Sequence, residues 1–195
     1  RSLVPQANAM GAPVEKLTLT GFLDWENAQA GRHEFFQGDV YAMTGARRAH
    51  GEVVGNLFAA LKLHLRGSPC RAYMEGMKLQ VADDAVFYPD VFVTCDADDL
   101  RTDMVFRAPT LVVEVLSPST AAFDQGLKFS SYRRLASLKE YVLIDPDTRT
   151  VAVFRRNADG LFVLHDQTGT ATLELASVEF GVAMADVFEG VTPGE

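Results

Sequence analysis

The chain is 195 residues long and 48% hydrophobic, which is enough for the core of one domain with a smaller appended sheet. Its formal net charge of −8 argues against a protein that coats nucleic acid non-specifically, because phosphate binding needs positive charge. Any contact with DNA must come from local basic patches.

The N-terminal segment, residues 1–17, is expected to be disordered or vector-derived, with Met10 as the natural start. A single domain is expected over residues 18–195. The N-terminus lacks the charged-then-apolar pattern of a signal peptide, and no run approaches the roughly 18 apolar residues of a membrane span. These features predict a soluble, cytoplasmic protein.

The first elements are a short helix, a hairpin and a longer helix. Thr20 is a candidate N-cap for the short helix, which Gly31 ends. Two β-prone runs flank Gln37-Gly38-Asp39 and indicate a hairpin. Apolar residues then recur at helical spacing over residues 50–65, which predicts a helix.

Strands dominate the middle of the chain. Residues 71–81 alternate loosely and predict one strand, and the acidic residues 96–103 are expected to form a solvated connector. Residues 88–95 and 110–116 are apolar and β-branched, the pattern of central strands that are covered on both faces.

Cys70 and Cys95 are the only cysteines, too few for a disulfide framework. Their positions in apolar runs predict two buried thiols in a reducing compartment.

The second half begins with Ser117-Pro118-Ser119-Thr120, which ends a central strand and offers caps for a helix over about residues 122–135. The remaining predictions are a strand over 140–144, an antiparallel meander over 151–155, 161–165 and 171–175, and a short helix within 180–188. This order predicts an α/β fold (α+β, mixed sheet) with flanking helices, an N-terminal hairpin and a C-terminal antiparallel meander.

Glu114 needs an explanation, because a carboxylate inside a β-branched run is costly unless it is paired or binds a metal. Asp90 begins the neighbouring apolar strand, so pairing of the two strands would bring both carboxylates within reach of one ion. Asp124, Lys128 and Tyr132 lie four residues apart, on one face of the predicted helix. Two acids suit Mg²⁺, and a lysine beside them would favour attack on a phosphate. The pattern predicts a metal-assisted hydrolase.

Each of these residues also has a structural interpretation. Asp90 follows a proline, as turn residues often do. Glu114 can be the buried salt-bridge partner of Lys128 or Arg133. Lys128 alone would be a solvated base, so only the three residues together favour a functional site.

The same residues resemble the Uma-type family of restriction endonucleases, in the PD-(D/E)XK nuclease superfamily. The resemblance covers roughly residues 19–155. It rests on Glu34-Phe35-Phe36-Gln37-Gly38-Asp39-Val40-Tyr41-Ala42-Met43, His50, Pro89-Asp90-Val91, Leu111-Val112-Val113-Glu114-Val115-Leu116-Ser117-Pro118-Ser119-Thr120, Asp124, Lys128, Tyr132 and Glu140-Tyr141-Val142-Leu143-Ile144-Asp145-Pro146.

The resemblance implies a restriction-endonuclease-like core in which Asp90 and Glu114 hold Mg²⁺, or Mn²⁺ in its place. The lysine that the superfamily places two residues after the glutamate is absent, because that position is Leu116. Lys128 is implied as its replacement.

Three supporting residues are also implied by the resemblance: Tyr132, His50 and Glu34, the last as a further metal ligand or a partner of one. Glu52 is an alternative carboxylate on the same helix as His50, although a solvated position is its expected fate.

Arg47 and Arg48 directly precede the predicted helix, where backbone N–H groups also attract anions. They are candidates for nucleic-acid binding, and they are equally ordinary solubilising residues. His33, His64 and His165 show no metal-ligand spacing.

The sequence leaves two alternative functions, which belong to different classes of protein. The first is a Mg²⁺-dependent endonuclease that hydrolyses DNA phosphodiester bonds, expected as a homodimer because duplex cleavage needs two active sites or two visits. The second is a catalytically silent nuclease-fold protein that acts as a binding or dimeric interaction module. The net charge of −8 motivates it, since an acidic surface repels DNA at long range.

Overall fold

The structure is a computed structural model that describes residues 16–43, 45–118 and 121–192. Residues 1–15, most of the N-terminal segment predicted to lie outside the fold, are outside the described residues. So are Ser119 and Thr120, two of the predicted helix caps. Leu17, at the start of the described part, donates its N–H to the Gly38 carbonyl at 3.2 Å and so joins the hairpin.

The described part of the chain contains three sheets, and the mixed α/β prediction is confirmed. The central sheet has six strands in the order β11-β10-β9-β8-β6-β3, the second has five in the order β2-β1-β5-β4-β7, and a small third sheet pairs β12 with β13. The strands are β1 (His33–Phe36), β2 (Asp39–Ala42), β3 (Arg71–Met74), β4 (Lys78–Val81), β5 (Ala85–Phe87), β6 (Val91–Thr94), β7 (Val105–Phe106), β8 (Pro109–Val115), β9 (Glu140–Asp145), β10 (Thr150–Arg156), β11 (Phe162–Asp166), β12 (Thr172–Leu175) and β13 (Phe180–Ala183).

The helices lie on both sides of the central sheet. They are α1 (Leu19–Glu26), α2 (Arg48–His64), α3 (Ala121–Phe123), α4 (Phe129–Tyr132) and α5 (Met184–Val187). A π-helical segment, Asp124–Lys128, joins α3 to α4. These three consecutive segments form one continuous helix, called the site helix below. In the described part of the chain, no helix has the length and apolar character needed to cross a membrane.

The two central strands are the predicted ones. Every residue of β6 and β8 is buried, and β8 pairs with β6 antiparallel and with β9 parallel. Side chains alternate between the faces of a strand, so Leu111, Val113 and Val115 belong to one hydrophobic cluster while Val112 belongs to another. Glu114 therefore shares the face of Val112.

One core lies between the central sheet and α2. Val53, Leu57 and Leu61 recur at helical spacing, are fully buried, and pack with Val91 and Val113 of the sheet. The small third sheet and α5 complete this cluster.

The other core lies between the central sheet, the second sheet and the site helix. It contains Phe87, Phe92, Val112, Tyr132 and Tyr141. Because β8 and β9 are parallel, their connection must cross from one end of the sheet to the other, and the site helix lies in that crossover.

The predicted hairpin is confirmed as β1 and β2. Gln37 and Gly38 form its turn with φ of 49° and 92°, as a two-residue turn with two left-handed positions requires. The cap prediction was wrong by two residues, because Thr18 caps α1 and its Oγ1 accepts the Gly21 N–H at 3.1 Å.

Two strand predictions were wrong in their pairing. Residues 71–81 form two strands in different sheets, β3 and β4, separated by a turn in which Gly76 has a φ of 81°. The last predicted meander strand, β12, pairs with β13 instead of β11, so the region predicted as a short helix begins with a strand. Loose alternation does not encode which neighbour a strand selects.

The two thiols were also predicted wrongly. Cys70 and Cys95 are joined in a disulfide, and both are only partly buried. They flank the paired ends of β3 and β6, where Arg71 faces Thr94, which places them opposite one another. The cysteines therefore give no argument for a reducing compartment.

The acidic connector is less solvated than predicted, because Asp99 is only 4% exposed. Its Oδ1 accepts the Arg107 N–H at 2.8 Å, and its Oδ2 accepts the Ala108 N–H at 2.8 Å and the Thr94 hydroxyl at 3.1 Å. Asp99 thus ties the connector to the start of β8.

We expect Asp99→Ala to lower the free energy of unfolding by about 2 kcal/mol, because it leaves two backbone N–H groups without their acceptor. Urea denaturation at neutral pH measures the loss. Asp98→Ala is the matched control, since that side chain is 88% exposed and should change stability by less than about 0.5 kcal/mol. Equal losses in the two variants would contradict this account of the connector.

Candidate active site

Asp90 lies directly before β6. The pairing of Val91 with Val113 makes Asp90 and Glu114 the next residues along the two strands. The Asp90 Oδ2 atom accepts the Val115 N–H at 2.7 Å and lies 3.2 Å from Nε2 of His50. The carboxylate is thus held by the backbone of the strand that carries Glu114.

Glu114 is 2% exposed and faces the core beneath the site helix. Its Oε1 lies 3.4 Å from Nζ of Lys128 and accepts the Tyr132 hydroxyl at 3.3 Å. Of the two partners considered from the sequence, Lys128 is the one that pairs with Glu114, and Arg133 is exposed.

Lys128 is only 5% exposed and lies among three carboxylates. Its Nζ is 2.8 Å from Oε1 of Glu34, 3.2 Å from Oδ1 of Asp124 and 3.4 Å from Oε1 of Glu114. The rings of Phe87 and Phe123 each lie 5.8 Å from the ammonium. The four charged residues, Glu34, Glu114, Asp124 and Lys128, are called the acid–lysine cluster.

Glu34 reaches the cluster from the hairpin strand β1. Its Oε1 also accepts the Tyr88 N–H at 3.1 Å. The Tyr88 hydroxyl in turn donates to Oε1 of Glu26 at 2.8 Å, so α1 and the hairpin are tied to the segment that carries Asp90.

The site helix carries Asp124 and Lys128 on its π-helical segment. Such wide turns cost hydrogen-bond geometry and recur at functional sites. Tyr141 of β9 donates its hydroxyl to the Asp124 carbonyl at 2.9 Å, and its ring stacks on Phe129 at a centroid distance of 4.9 Å. The segment is therefore anchored to the central sheet.

Burial controls the protonation of the cluster. It raises the pKa of the Glu114 carboxyl well above its usual value, and Asp124, Asp90 and Glu34 act in the same direction while Lys128 opposes them. Burial also raises the pKa of Glu34, with Lys128 again opposing. The carboxyl groups outnumber the ammonium, so the cluster retains protons that solvated acids would release.

Lys128 responds in the opposite sense. Burial alone lowers its pKa, but Glu114, Glu34 and Asp124 outweigh burial and raise the pKa of Lys128 well above its usual value. Burial, reinforced by Glu114, raises the pKa of Tyr132 well above its usual value as well. Both side chains are therefore proton donors near neutral pH.

A cavity of about 930 Å³ opens beside the cluster. All four cluster residues line it, and so do Asp90 and His50. Tyr132 supports the cluster from behind, since it is fully buried and is not one of the cavity-lining residues in the described part of the chain.

The two predicted nucleic-acid-binding arginines differ in placement. Arg47 lines the cavity, and its Nη1 lies 2.9 Å from Oδ2 of Asp147. Arg48 donates from Nη1 to the Gly190 carbonyl at 3.2 Å and faces the C-terminal segment. Glu52, the alternative carboxylate, lies against Gly190 and is not a cavity-lining residue in the described chain.

Three charged residues that line the cavity were given no role from the sequence: Asp124, Arg32 and Glu75. Asp124 was predicted on the same helix face as Lys128, and its spacing of four residues from Lys128 could have indicated that the two side chains pair. The sequence pattern did not indicate a role for Arg32, which directly precedes β1, or for Glu75, which lies in the turn between β3 and β4. Arg32 packs over Gly76, so that a Cβ at Gly76 would lie 3.0 Å from the guanidinium.

The donor set fits a hard divalent cation. Asp90 and Glu114 offer carboxylate oxygens at the cavity, and such ions prefer oxygen ligands completed by water and substrate phosphate. The buried Oδ1 atom of Asp124 lies 3.2 Å from Nζ of Lys128 without a well-aligned hydrogen bond. A cation added beside these acids would replace the protons that the cluster retains.

A mixed sheet that presents paired acids and a lysine at a cleft defines the class of restriction-endonuclease-like folds. The crystal structure of a protein from Anabaena variabilis, described as a "putative nuclease belonging to DUF820", matches with a TM-score of 0.73 at 19% identity and covers 88% of this chain and 97% of that one. At this identity the likeness shows the fold alone.

A family profile and two sequence relatives also match the chain. The profile of the Uma2 family, described as "Putative restriction endonuclease", matches residues 19–185, and the chain belongs to this family. The uncharacterized protein slr1290 of Synechocystis sp. is 33% identical over 186 residues, covering 95% of this chain and 98% of that protein. A second uncharacterized Synechocystis protein, sll1609, is 31% identical over 172 residues, which cover 87% of this chain and 95% of that protein. The predicted resemblance is confirmed.

We expect Lys128→Met to lower the free energy of unfolding by about 3 kcal/mol at pH 8 with EDTA, because it leaves the buried carboxylates without their counter-charge. A carboxyl group whose pKa is raised on folding stabilises the fold below its unfolded pKa, and that stabilisation is lost as the pH rises through the folded pKa. The pKa values of Glu34 and Glu114 are already raised, so the loss at pH 5 should be smaller than at pH 8.

Urea midpoints at the two pH values measure this difference. Lys139→Met is the control, because Lys139 is exposed and its replacement should cost less than about 0.5 kcal/mol. If Lys128→Met lowers the free energy of unfolding equally at both pH values, the ammonium of Lys128 does not compensate ionised carboxyl groups and this account of the cluster is wrong.

Proposed function

We propose that this protein is an endonuclease that hydrolyses DNA phosphodiester bonds with Mg²⁺, and that Mn²⁺ can replace Mg²⁺. The observation that carries the proposal is the convergence of Asp90, Glu114 and Lys128 on one cavity, from two neighbouring strands and a helix. A purely structural salt bridge explains the Glu114–Lys128 pair, but it does not explain two further acids around one lysine at a cavity wall.

Asp90 and Glu114 would hold the ion. When bound, it would activate a water and stabilise the negative charge that builds on the phosphate during displacement. The Val115 N–H holds the Asp90 carboxylate and the Tyr132 hydroxyl holds the Glu114 side chain, so both are in place before an ion binds.

Lys128 acts as a fixed positive charge. Its neighbours raise its pKa well above the usual lysine value, so it remains an ammonium and does not serve as a general base. Glu34 and Asp124 hold Nζ at the cavity, where it can donate to a phosphate oxygen or to the attacking water.

His50 positions Asp90. Burial lowers the pKa of His50, but Asp90, Glu75 and Asp124 together outweigh burial and hold the pKa above its usual value. A proton on Nε2 then faces Oδ2 of Asp90 and keeps that oxygen in place beside β8.

We expect Glu114→Gln to lower the rate of Mg²⁺-dependent plasmid cleavage by about 100-fold or more, because the neutral amide cannot hold the cation. The variant should remain folded, since its amide replaces a carboxyl whose charged form is disfavoured by burial. Glu52→Gln is the matched control and should cleave like the wild type, because Glu52 lies away from the cavity.

Cleavage by folded Glu114→Gln at the wild-type rate would contradict the assignment. A wild-type protein that binds neither Mg²⁺ nor Mn²⁺ at millimolar concentrations in calorimetry would instead support the silent binding module.

DNA would enter along the basic side of the cavity, which Arg32 and Arg47 line. Local basic groups are needed because the net charge of the chain is −8. Arg47 and Arg48 also lie at the start of α2, where the backbone N–H groups of a first helical turn favour phosphate, although Arg48 is tied to the Gly190 carbonyl.

Arg47→Ala should weaken binding to DNA of any sequence and reduce the slope of log K against log salt by about one, because one phosphate contact is lost. Fluorescence anisotropy at several salt concentrations, with Ca²⁺ in place of Mg²⁺, measures both effects. Arg101→Ala, at an exposed arginine paired with Asp98, should leave the slope unchanged. The same slope for Arg47→Ala and the wild type would exclude Arg47 from the DNA interface.

We also propose a homodimer, because a duplex has two strands to cut. The edge strand β11 is where a second copy would pair, since Leu161 and Leu164 at this edge are 65% and 52% exposed.

A further inference from the structure

A second group of metal-binding side chains adjoins the acid–lysine cluster. One ring nitrogen of His50, one carboxylate oxygen of Glu75 and one of Asp90 lie within 4.8 Å of one another. All three residues line the cavity, so an ion could reach them.

The three side chains are held together by the fold. His50 lies in the first turn of α2, Asp90 precedes β6, and Glu75 lies in the turn between β3 and β4. The Glu75 N–H donates to the Asp90 carbonyl at 3.2 Å, which fixes the turn beside Asp90. The next residue, Gly76, has a φ of 81°, a backbone conformation that residues with a side chain rarely adopt.

His50 presents a ligand atom to Asp90. Its Nε2 lies 3.2 Å from Oδ2 of Asp90, a separation at which both atoms can bind one ion, whereas its Nδ1 is buried and has no hydrogen-bond partner among the described residues. When Nδ1 bears the proton, Nε2 presents the lone pair that metal ions bind, so an ion would take the place of the proton that otherwise faces Asp90.

The donor set differs in kind from the Asp90–Glu114 pair. Mg²⁺ takes oxygen ligands, whereas imidazole is a ligand for first-row transition metals. We infer that His50, Glu75 and Asp90 form a second cation site, which selects a divalent transition-metal ion such as Mn²⁺ over Mg²⁺ and shares Asp90 with the proposed Mg²⁺ centre. The inference rests on the proposed function only in that Asp90 serves both sites.

Manganese is the probe, because its bound form is visible by electron paramagnetic resonance. Wild-type protein should bind two Mn²⁺ ions per chain but one Mg²⁺ ion in calorimetry. Pulsed spectra of the Mn²⁺ form should show ¹⁴N modulation from a directly bound imidazole. Glu75 lies in an exposed turn. Its replacement in Glu75→Gln should lower the affinity for one of the two Mn²⁺ ions by about tenfold or more and leave the affinity for Mg²⁺ unchanged.

The ¹⁴N signal separates the two sites. It should disappear in His50→Gln, persist in Glu114→Gln, which loses the other ion, and persist in the control His64→Gln, where a histidine of the same helix contacts the Val178 carbonyl. Wild-type protein that binds one Mn²⁺ without ¹⁴N modulation, and loses it in Glu114→Gln, would overturn this second site and leave the proposed function standing. Wild-type protein that binds no Mn²⁺ would overturn both.

Discussion

The buried ammonium of Lys128 is the constraint on which the rest of the site depends. An amine that is 5% exposed remains charged only if carboxylates surround it, and Glu34, Glu114 and Asp124 come from the hairpin, the central sheet and the site helix. One side chain therefore couples three parts of the fold. The cavity wall is preorganised, because moving any of these parts would leave a charge unpaired in the interior.

The cluster is also a compromise between stability and chemistry. Three acids around one lysine would leave negative charge in excess if all were ionised, and burial raises the pKa values of Glu34 and Glu114 so that protons are retained instead. A core built for stability alone would place apolar side chains there. The surplus of carboxyl groups over ammonium groups is what makes the site receptive to a cation, so the cost of the cluster to the fold and its proposed use have the same physical origin.

Much of this site could be predicted from the sequence because its signals are local. A glutamate in an otherwise apolar central strand, an acid at the start of the adjacent strand and a lysine on the following helix each follow from strand or helix periodicity. Glu75 and Arg32 could not be found in this way, since their positions depend on how a turn and a strand end meet across the cavity. The split of residues 71–81 into two sheets and the disulfide between Cys70 and Cys95 likewise depend on pairing between distant segments.

Leu116 explains why the lysine comes from a helix. Side chains two apart on a strand share a face, so a lysine at this position would lie beside Glu114. Leu116 instead packs in the core beneath the site helix, which approaches the sheet closely enough for Lys128 to reach the carboxylate at 3.4 Å. The ammonium thus lies beside the acids although its residue is on a helix and not on the strand. Lys128 therefore depends on the site helix for its position. The π-helical segment carries Lys128, and contacts with Tyr141 hold that helix against the sheet.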